Sequence, residues 1–189
     1  MKFLYNPRKA AQAAAYLAQL NGGQMDVYAL IKILYLADRK ALVERGRPIT
    51  GDAMVCMPYG PVLSRIYDDS KSPEAIQNKH WREAFKAREN NVVSLRNAIA
   101  PTDELSEFER NVLKETHQNY GHYDFGELRK IVDRLPEYVD PQGSSLPIDP
   151  AAILREEGWS EEEIEDARMS AREEVILGTL EDHPSKIRA

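Results

Sequence analysis

Residues that build disulfides, metal sites and cofactor sites are scarce in this sequence. Cys56 is the only cysteine among the 189 residues, so no internal disulfide can form, which predicts a reducing, cytoplasmic location. Of the four histidines, His117 and His122 lie five residues apart, whereas paired metal ligands on one helix face lie four apart. No glycine-rich phosphate loop of standard spacing is present. We therefore expect neither a metal nor a cofactor.

Long apolar runs and excess positive charge are also missing. No apolar run is long enough to span a membrane, and the N-terminus lacks the pattern of a signal peptide, so we expect no membrane partner. The net charge of −6 makes nucleic acid an unfavourable partner as well. A hydrophobic content of 42% suits a globular chain with one core. The sequence thus predicts a single domain over residues 1–180 and a flexible tail over 181–189.

The most hydrophobic helix in the sequence starts at Val27. Val27, Leu30 and Leu34 recur at helical spacing, and further apolar residues cover much of the remaining circumference. A helix that is apolar on most sides is buried on most sides, so we expect this one to cross the centre of the domain. Asp26 is suited to cap its N-terminus and Gly46 to end it in the left-handed conformation.

Caps and apolar periodicity predict further helices on both sides of this central one. They are expected from Asn6-Pro7 to Asn21, from Pro61 to Tyr67, from Ser72 to about Arg88, from Ser106 to Gly121, from Asp124 to Pro136, from Asp149 to Gly158, and from Ser160 to about Thr179. Two strands are predicted at residues 53–57 and 92–95, and we pair them with each other. The expected fold is mainly α (α+β), a single-domain helical bundle with a small antiparallel β-sheet.

Three short motifs follow one another in and after the central helix. They are LYLAD at 34–38, GRPITGD at 46–52 and PYGPV at 58–62. In this order and spacing they resemble the signature of the SocA-like antitoxin domain, also called Panacea and found in GepA-type phage proteins. Weaker similarity continues at 105–109, 128–138 and 153–164. One departure is Asp133, which stands where the family often has a histidine.

The resemblance implies an antitoxin of a bacterial or prophage toxin–antitoxin system. Its partner would be a cognate toxin encoded beside it, neutralised by direct protein–protein contact or by delivery to a cellular protease. An acidic chain suits a basic toxin, although charge complementarity acts more on the association rate than on affinity.

The polar residues of the motif region are the candidate partner-binding site. Asp38 falls on the same strip as Leu34, so we expect it to be partly buried, and a buried carboxylate needs a partner. Arg39, Arg47 or the turn at 50–52 could supply that partner, in a structural pair that fixes the loop to the helix. Alternatively, Asp38, Arg47 and Tyr59 border a surface cleft that recognises another protein. The full set of candidates is Asp38, Arg39, Arg47, Asp52, Tyr59, Gly60 and Pro61.

Two other functions remain alternatives to that of an antitoxin. A DNA-binding prophage or transcriptional regulator is the alternative, but the net charge is negative and no helix is rich in Lys and Arg. An enzyme using Cys56 or a carboxylate is disfavoured, because a lone cysteine in an apolar strand usually behaves as a small buried hydrophobe. The last helix has an apolar stripe that includes Ile164 and Ala171. That stripe is expected to dock on its own core, and the alternatives are a partner's groove or the seam of a homodimer.

Overall fold

Helices dominate the computed structural model of the protein, which describes residues 1–71 and 77–181. The helices in this part of the chain are α1 (Pro7–Leu20), α2 (Val27–Arg45), α3 (Ser64–Lys71), α4 (Lys79–Ala84), α5 (Glu107–Tyr120), α6 (Phe125–Val132), α7 (Pro150–Glu156) and α8 (Glu161–Glu181). The strands are β1 (Gln24–Asp26), β2 (Met54–Met57), β3 (Gly60–Leu63), β4 (Val92–Ser94) and β5 (Leu146–Pro147). This mainly helical fold with small antiparallel sheets confirms the predicted fold class.

The central helix α2 is the element around which the others pack. Val27, Leu30 and Leu34 are fully buried, and α1, α3, α5, α6 and α7 all contact this helix. The Asp26 carboxylate accepts hydrogen bonds from the first turn of α2, and Gly46 ends the helix at a φ of 69°. Its sequence therefore dictates both its bounds and its burial, because caps satisfy the end groups and apolar residues cover most of its surface.

Capping residues also set the bounds of the outer helices. Ser106 and Glu109 form a reciprocal capping box at the start of α5, and Asp124 forms another with Glu127 at the start of α6. Asn6 caps α1, whose alanines are buried where it packs against α2, α4 and α5. These predicted starts are confirmed, because a cap is a local signal that needs no tertiary information.

The predicted pairing of residues 53–57 with 92–95 is wrong. β2 instead pairs antiparallel with β3, with Met57 opposite Gly60, and its other edge pairs with β5. β4 pairs with β1 in a separate sheet. The β2–β3 hairpin closes through two residues, so it loses far less chain entropy than a pairing across more than thirty residues.

The helix predicted from Pro61 begins later, at Ser64, because residues 60–63 are paired as a strand. The Asp52 carboxylate accepts hydrogen bonds from the backbone N–H groups of Arg65 and Ile66, which fixes the start of α3. The helix predicted from Ser72 to about Arg88 lies partly outside the described residues. In the described part, Asn78 is extended and caps a helix that runs only from Lys79 to Ala84, so the prediction is wrong at both ends there. Phe85 then bridges to Leu95 in extended conformation. Residues 182–189 of the predicted tail also lie outside the described part.

Candidate partner-binding groove

A groove of about 900 Å³ runs beside the β2–β3 hairpin, and we call it the hairpin groove. It is bordered by the hairpin, the first turns of α2, parts of α3 and α6, and the loop at 143–145. Its aromatic and charged lining residues are Asp26, Tyr28, Lys32, Tyr59, Tyr67, Asp68, Lys71 and Phe125. A concave surface that combines aromatic walls with a few polar groups is typical of a binding site.

Aromatic side chains on the groove walls are held by ring and cation contacts. Tyr59 is 61% exposed at the hairpin turn, and the Arg129 guanidinium lies 4.8 Å from the centre of its ring. The rings of Tyr28 and Phe125 are 5.5 Å apart. The cation–π contact with Arg129 orients Tyr59 without covering it, so the ring stays exposed at the surface of the hairpin turn.

Lys32 lies beneath this wall, on the central helix α2. Only 1% of the residue is exposed, and its Nζ donates a 2.9 Å hydrogen bond to the carbonyl oxygen of Pro61. Burial lowers the pKa of Lys32 to about 7, the Asp133 carboxylate opposes this shift, and Arg129 adds to it. The bond ties the hairpin to α2. It also occupies the carbonyl oxygen of Pro61. Because proline has no backbone N–H, this residue then leaves no unused backbone donor or carbonyl for pairing with another strand.

Gly60 allows this close approach of hairpin, α2 and α6. Its φ of +89° is strained for any other residue. An added Cβ would also lie 2.7 Å from Val132 Cγ2, 2.8 Å from Asp133 Oδ1 and 3.1 Å from Lys32 Nζ. Glycine is therefore required here for both conformation and space. Asp133 thus directs a carboxylate oxygen toward Gly60, and this oxygen has no hydrogen-bond partner among the described residues.

The LYLAD and GRPITGD motifs meet in the interior, at Asp38. This residue is fully buried and accepts hydrogen bonds from both the backbone N–H and the hydroxyl of Thr50. The Thr50 hydroxyl in turn accepts a 3.1 Å bond from the backbone N–H of Asp52. Burial raises the pKa of Asp38 to about 7, although the bonds from Thr50 lower it. The buried carboxylate therefore joins the loop to the helix, and its partner is the turn itself.

The two candidate arginines occupy different surroundings. Arg39 is half-buried and donates bonds of 2.7 Å to Glu137 and 2.8 Å to Glu157. Arg47 is 56% exposed in its side chain and pairs with Glu174 of α8. It borders a second groove of about 540 Å³, which we call the C-terminal groove because α8 forms one side of it. Arg39 thus connects α2 to two distant loops, whereas Arg47 connects the end of α2 to α8.

The seven predicted residues therefore do not share one surface. Asp38 and Asp52 are interior, Arg39 belongs to an ion-pair cluster, and Arg47 borders the C-terminal groove. Only Tyr59 lines the hairpin groove, and Gly60 and Pro61 form the strand behind it. Sequence reasoning did not single out Lys32, Arg129 or Phe125. Lys32 could have been noticed in the sequence, because it is a lysine within the most apolar helix. Residues of α6 could not, because only tertiary packing brings this helix to the groove.

Cys56 is buried, with its sulfur 3.6 Å from the Glu137 carbonyl oxygen and 3.4 Å from the Val139 nitrogen. Among the described residues, no group of three or more His, Cys, Asp or Glu side chains could hold a metal ion. No described helix is both long and apolar enough to cross a membrane.

The fold and the groove thus define a mainly helical protein with an aromatic surface groove. The chain belongs to the SocA-like antitoxin family: the family described as "Antitoxin SocA-like, Panacea domain" matches residues 30–137, more than half of the sequence. This match confirms the resemblance carried by the three motifs. It includes Lys32, the hairpin and α6, whereas α7 and α8 lie beyond it. No curated protein and no solved structure matched the chain.

Proposed function

We propose that the protein is a cytoplasmic antitoxin that neutralises a toxin encoded by the neighbouring gene. Family membership carries this proposal, because the family is one of SocA-like antitoxins and its match includes most of the residues that line the hairpin groove. Neutralisation would proceed by direct protein–protein contact. By this contact the protein would either occlude the active surface of the toxin or deliver the toxin to a cellular protease.

The hairpin groove is the surface that we assign to the toxin. Tyr59 supplies an exposed aromatic anchor, and such residues contribute much of the free energy of protein–protein binding. Arg129 holds the ring of Tyr59, and Lys32 ties the hairpin below it to α2. A side chain that is already oriented loses little entropy on binding, which favours a specific complex.

A growth assay tests the function. The neighbouring gene is induced alone and together with this protein. We expect growth arrest in the first case and rescue in the second. A harmless neighbour, or a harmful one that is not rescued, would contradict the pairing. Occlusion further predicts a stable complex of fixed stoichiometry, whereas delivery predicts that rescue disappears in a strain lacking the protease.

Substitutions then test the groove. Tyr59→Ala and Arg129→Ala should weaken rescue and toxin co-purification, with Tyr59→Ala having the larger effect, about tenfold or more in affinity. Ile99→Ala is a matched control, because Ile99 is also a large exposed apolar residue but borders a different pocket. Equal rescue by all three variants, at unchanged thermal stability, would place the toxin on another surface.

A further inference from the structure

Among the described residues of the last helix, α8, the buried side chains lie on one face. Ile164 and Ala171 are buried on this inner face, and Glu174 pairs with Arg47. Gly178 gives room to Leu4, because a Cβ at this glycine would lie 2.5 Å from a methyl carbon of Leu4. These contacts fix which side of α8 faces the protein and which side faces away from it.

The outer face of α8 combines exposed apolar residues with carboxylates. Met169, Ile176 and Leu177 are 52%, 58% and 61% exposed. At 3.6 residues per turn, the same side of the helix holds three exposed acidic residues. We define the outer face of α8 by these six residues: Glu162, Asp166, Met169, Glu173, Ile176 and Leu177. Glu173 and Leu177 lie at the edge of this face and also line the C-terminal groove.

The three carboxylates of this face have no partner among the described residues, unlike their neighbours. Glu165 pairs with Arg168, and Glu163 bonds back to the N-terminal Ser160. Glu162, Asp166 and Glu173 make no ion pair or hydrogen bond with any described side chain. Large apolar side chains and uncompensated negative charge therefore occur on one helix face, at the spacing of three and four residues by which helices pack together.

Charge decides which occupant suits this face. In a second copy of the chain aligned in parallel, identical carboxylates would face one another. In an antiparallel copy centred between Met169 and Ser170, Asp166 would face Glu173. Like charges at a helix seam oppose association, whereas lysines or arginines beside apolar residues would pair with the carboxylates.

We propose that the outer face of α8 binds a basic amphipathic helix of a partner protein. The two structural observations behind this are the exposed apolar residues and the unpaired carboxylates among them. The identity of the partner in the cell rests on the proposed function, since the toxin is the protein expected to bring this helix. The contact would be additional to the hairpin groove, which belongs to a different part of the fold.

A peptide assay tests the face without the toxin. The probe is a labelled synthetic peptide of about 20 residues, with leucines and lysines arranged on one helical face, and its scrambled version is the reference. Binding to the full chain is followed by fluorescence anisotropy at physiological salt. We expect Asp166→Lys/Glu173→Lys and Met169→Ser/Leu177→Ser each to weaken binding about tenfold or more. Glu89→Lys/Glu156→Lys is the matched control, because it changes the net charge equally at exposed acidic residues outside α8.

The outcomes separate the possible occupants. Selective loss with the α8 variants, and weak binding of the scrambled peptide, supports the proposal. Equal loss with the control pair, equal binding of the scrambled peptide, or no binding at all overturns it. A wild-type dimer in sedimentation that Met169→Ser/Leu177→Ser converts to monomer also overturns it, because a second copy then covers the face. Growth rescue tests the antitoxin function independently of the peptide assay. Failure of helix binding by the outer face of α8 therefore does not imply failure of the antitoxin function, and the reverse also holds.

Discussion

Replacing Asp38 by asparagine should remove a pH dependence of stability that the wild-type protein shows below neutral pH. The Asp38 carboxyl is fully buried, and its pKa of about 7 lies well above the value near 3.9 expected in the unfolded chain. The folded state therefore binds this proton more tightly than the unfolded state does. Its contribution to the free energy of unfolding is fully present below about pH 4 and is lost as the pH rises through 7.

The magnitude follows from the size of the shift. A difference of about 3 pKa units corresponds to about 4 kcal/mol over the whole pH window. Between pH 5 and pH 7.5, the free energy of unfolding of the wild type should fall by about 2.5 kcal/mol relative to that of Asp38→Asn, through the titration of Asp38 alone. The asparagine has nearly the shape of the acid, so Thr50 can still donate its backbone hydrogen bond to the side-chain oxygen.

Urea unfolding of both proteins at several pH values measures this difference. Other titrating groups are common to both chains, so they cancel when the two free energies of unfolding are subtracted. Asp166→Asn serves as a control, because this carboxylate is exposed and should leave the wild-type curve unchanged. Parallel curves for wild type and Asp38→Asn between pH 5 and 7.5 would refute the reasoning, since Asp38 would then titrate alike in both states.

Three further predictions concern the residues around α2. Lys32→Met should remove a rise of about 2 kcal/mol in wild-type stability between pH 7 and pH 9. In this range Lys32, with its folded pKa lowered to about 7, loses its proton in the folded state while the unfolded chain keeps it, so the free energy of unfolding increases with pH; urea unfolding at both pH values measures this. Gly60→Ala should destabilise by about 3 kcal/mol in chemical denaturation, and Gly143→Ala by only about 1 kcal/mol, since both have positive φ but only Gly60 lacks room for a Cβ. Arg39→Ala should lower stability by about 2 kcal/mol through its half-buried ion pairs, and a thermal melt should show almost no change for the exposed Arg47→Ala.

Local signals in the sequence were sufficient for most helix bounds. Asp26 and Gly46 bracket α2 as predicted, and the Ser106–Glu109 capping box begins α5. Each of these signals acts within one turn of its own residue, which is why it can be recognised without tertiary information. The three motifs likewise identified the family, because their order and spacing are properties of the sequence itself.

The tertiary structure decided which distant residues meet. Strand pairing depended on the competition between a two-residue turn and a long loop, and apolar patterning does not reveal that competition. The site followed the same rule: Arg47 and Tyr59 lie in neighbouring motifs but border different grooves, because the hairpin and the end of α2 pack against different helices. Sequence alone therefore determined most of the helices, the burial of α2 and the family, whereas long-range packing determined the hairpin groove and the surroundings of Lys32.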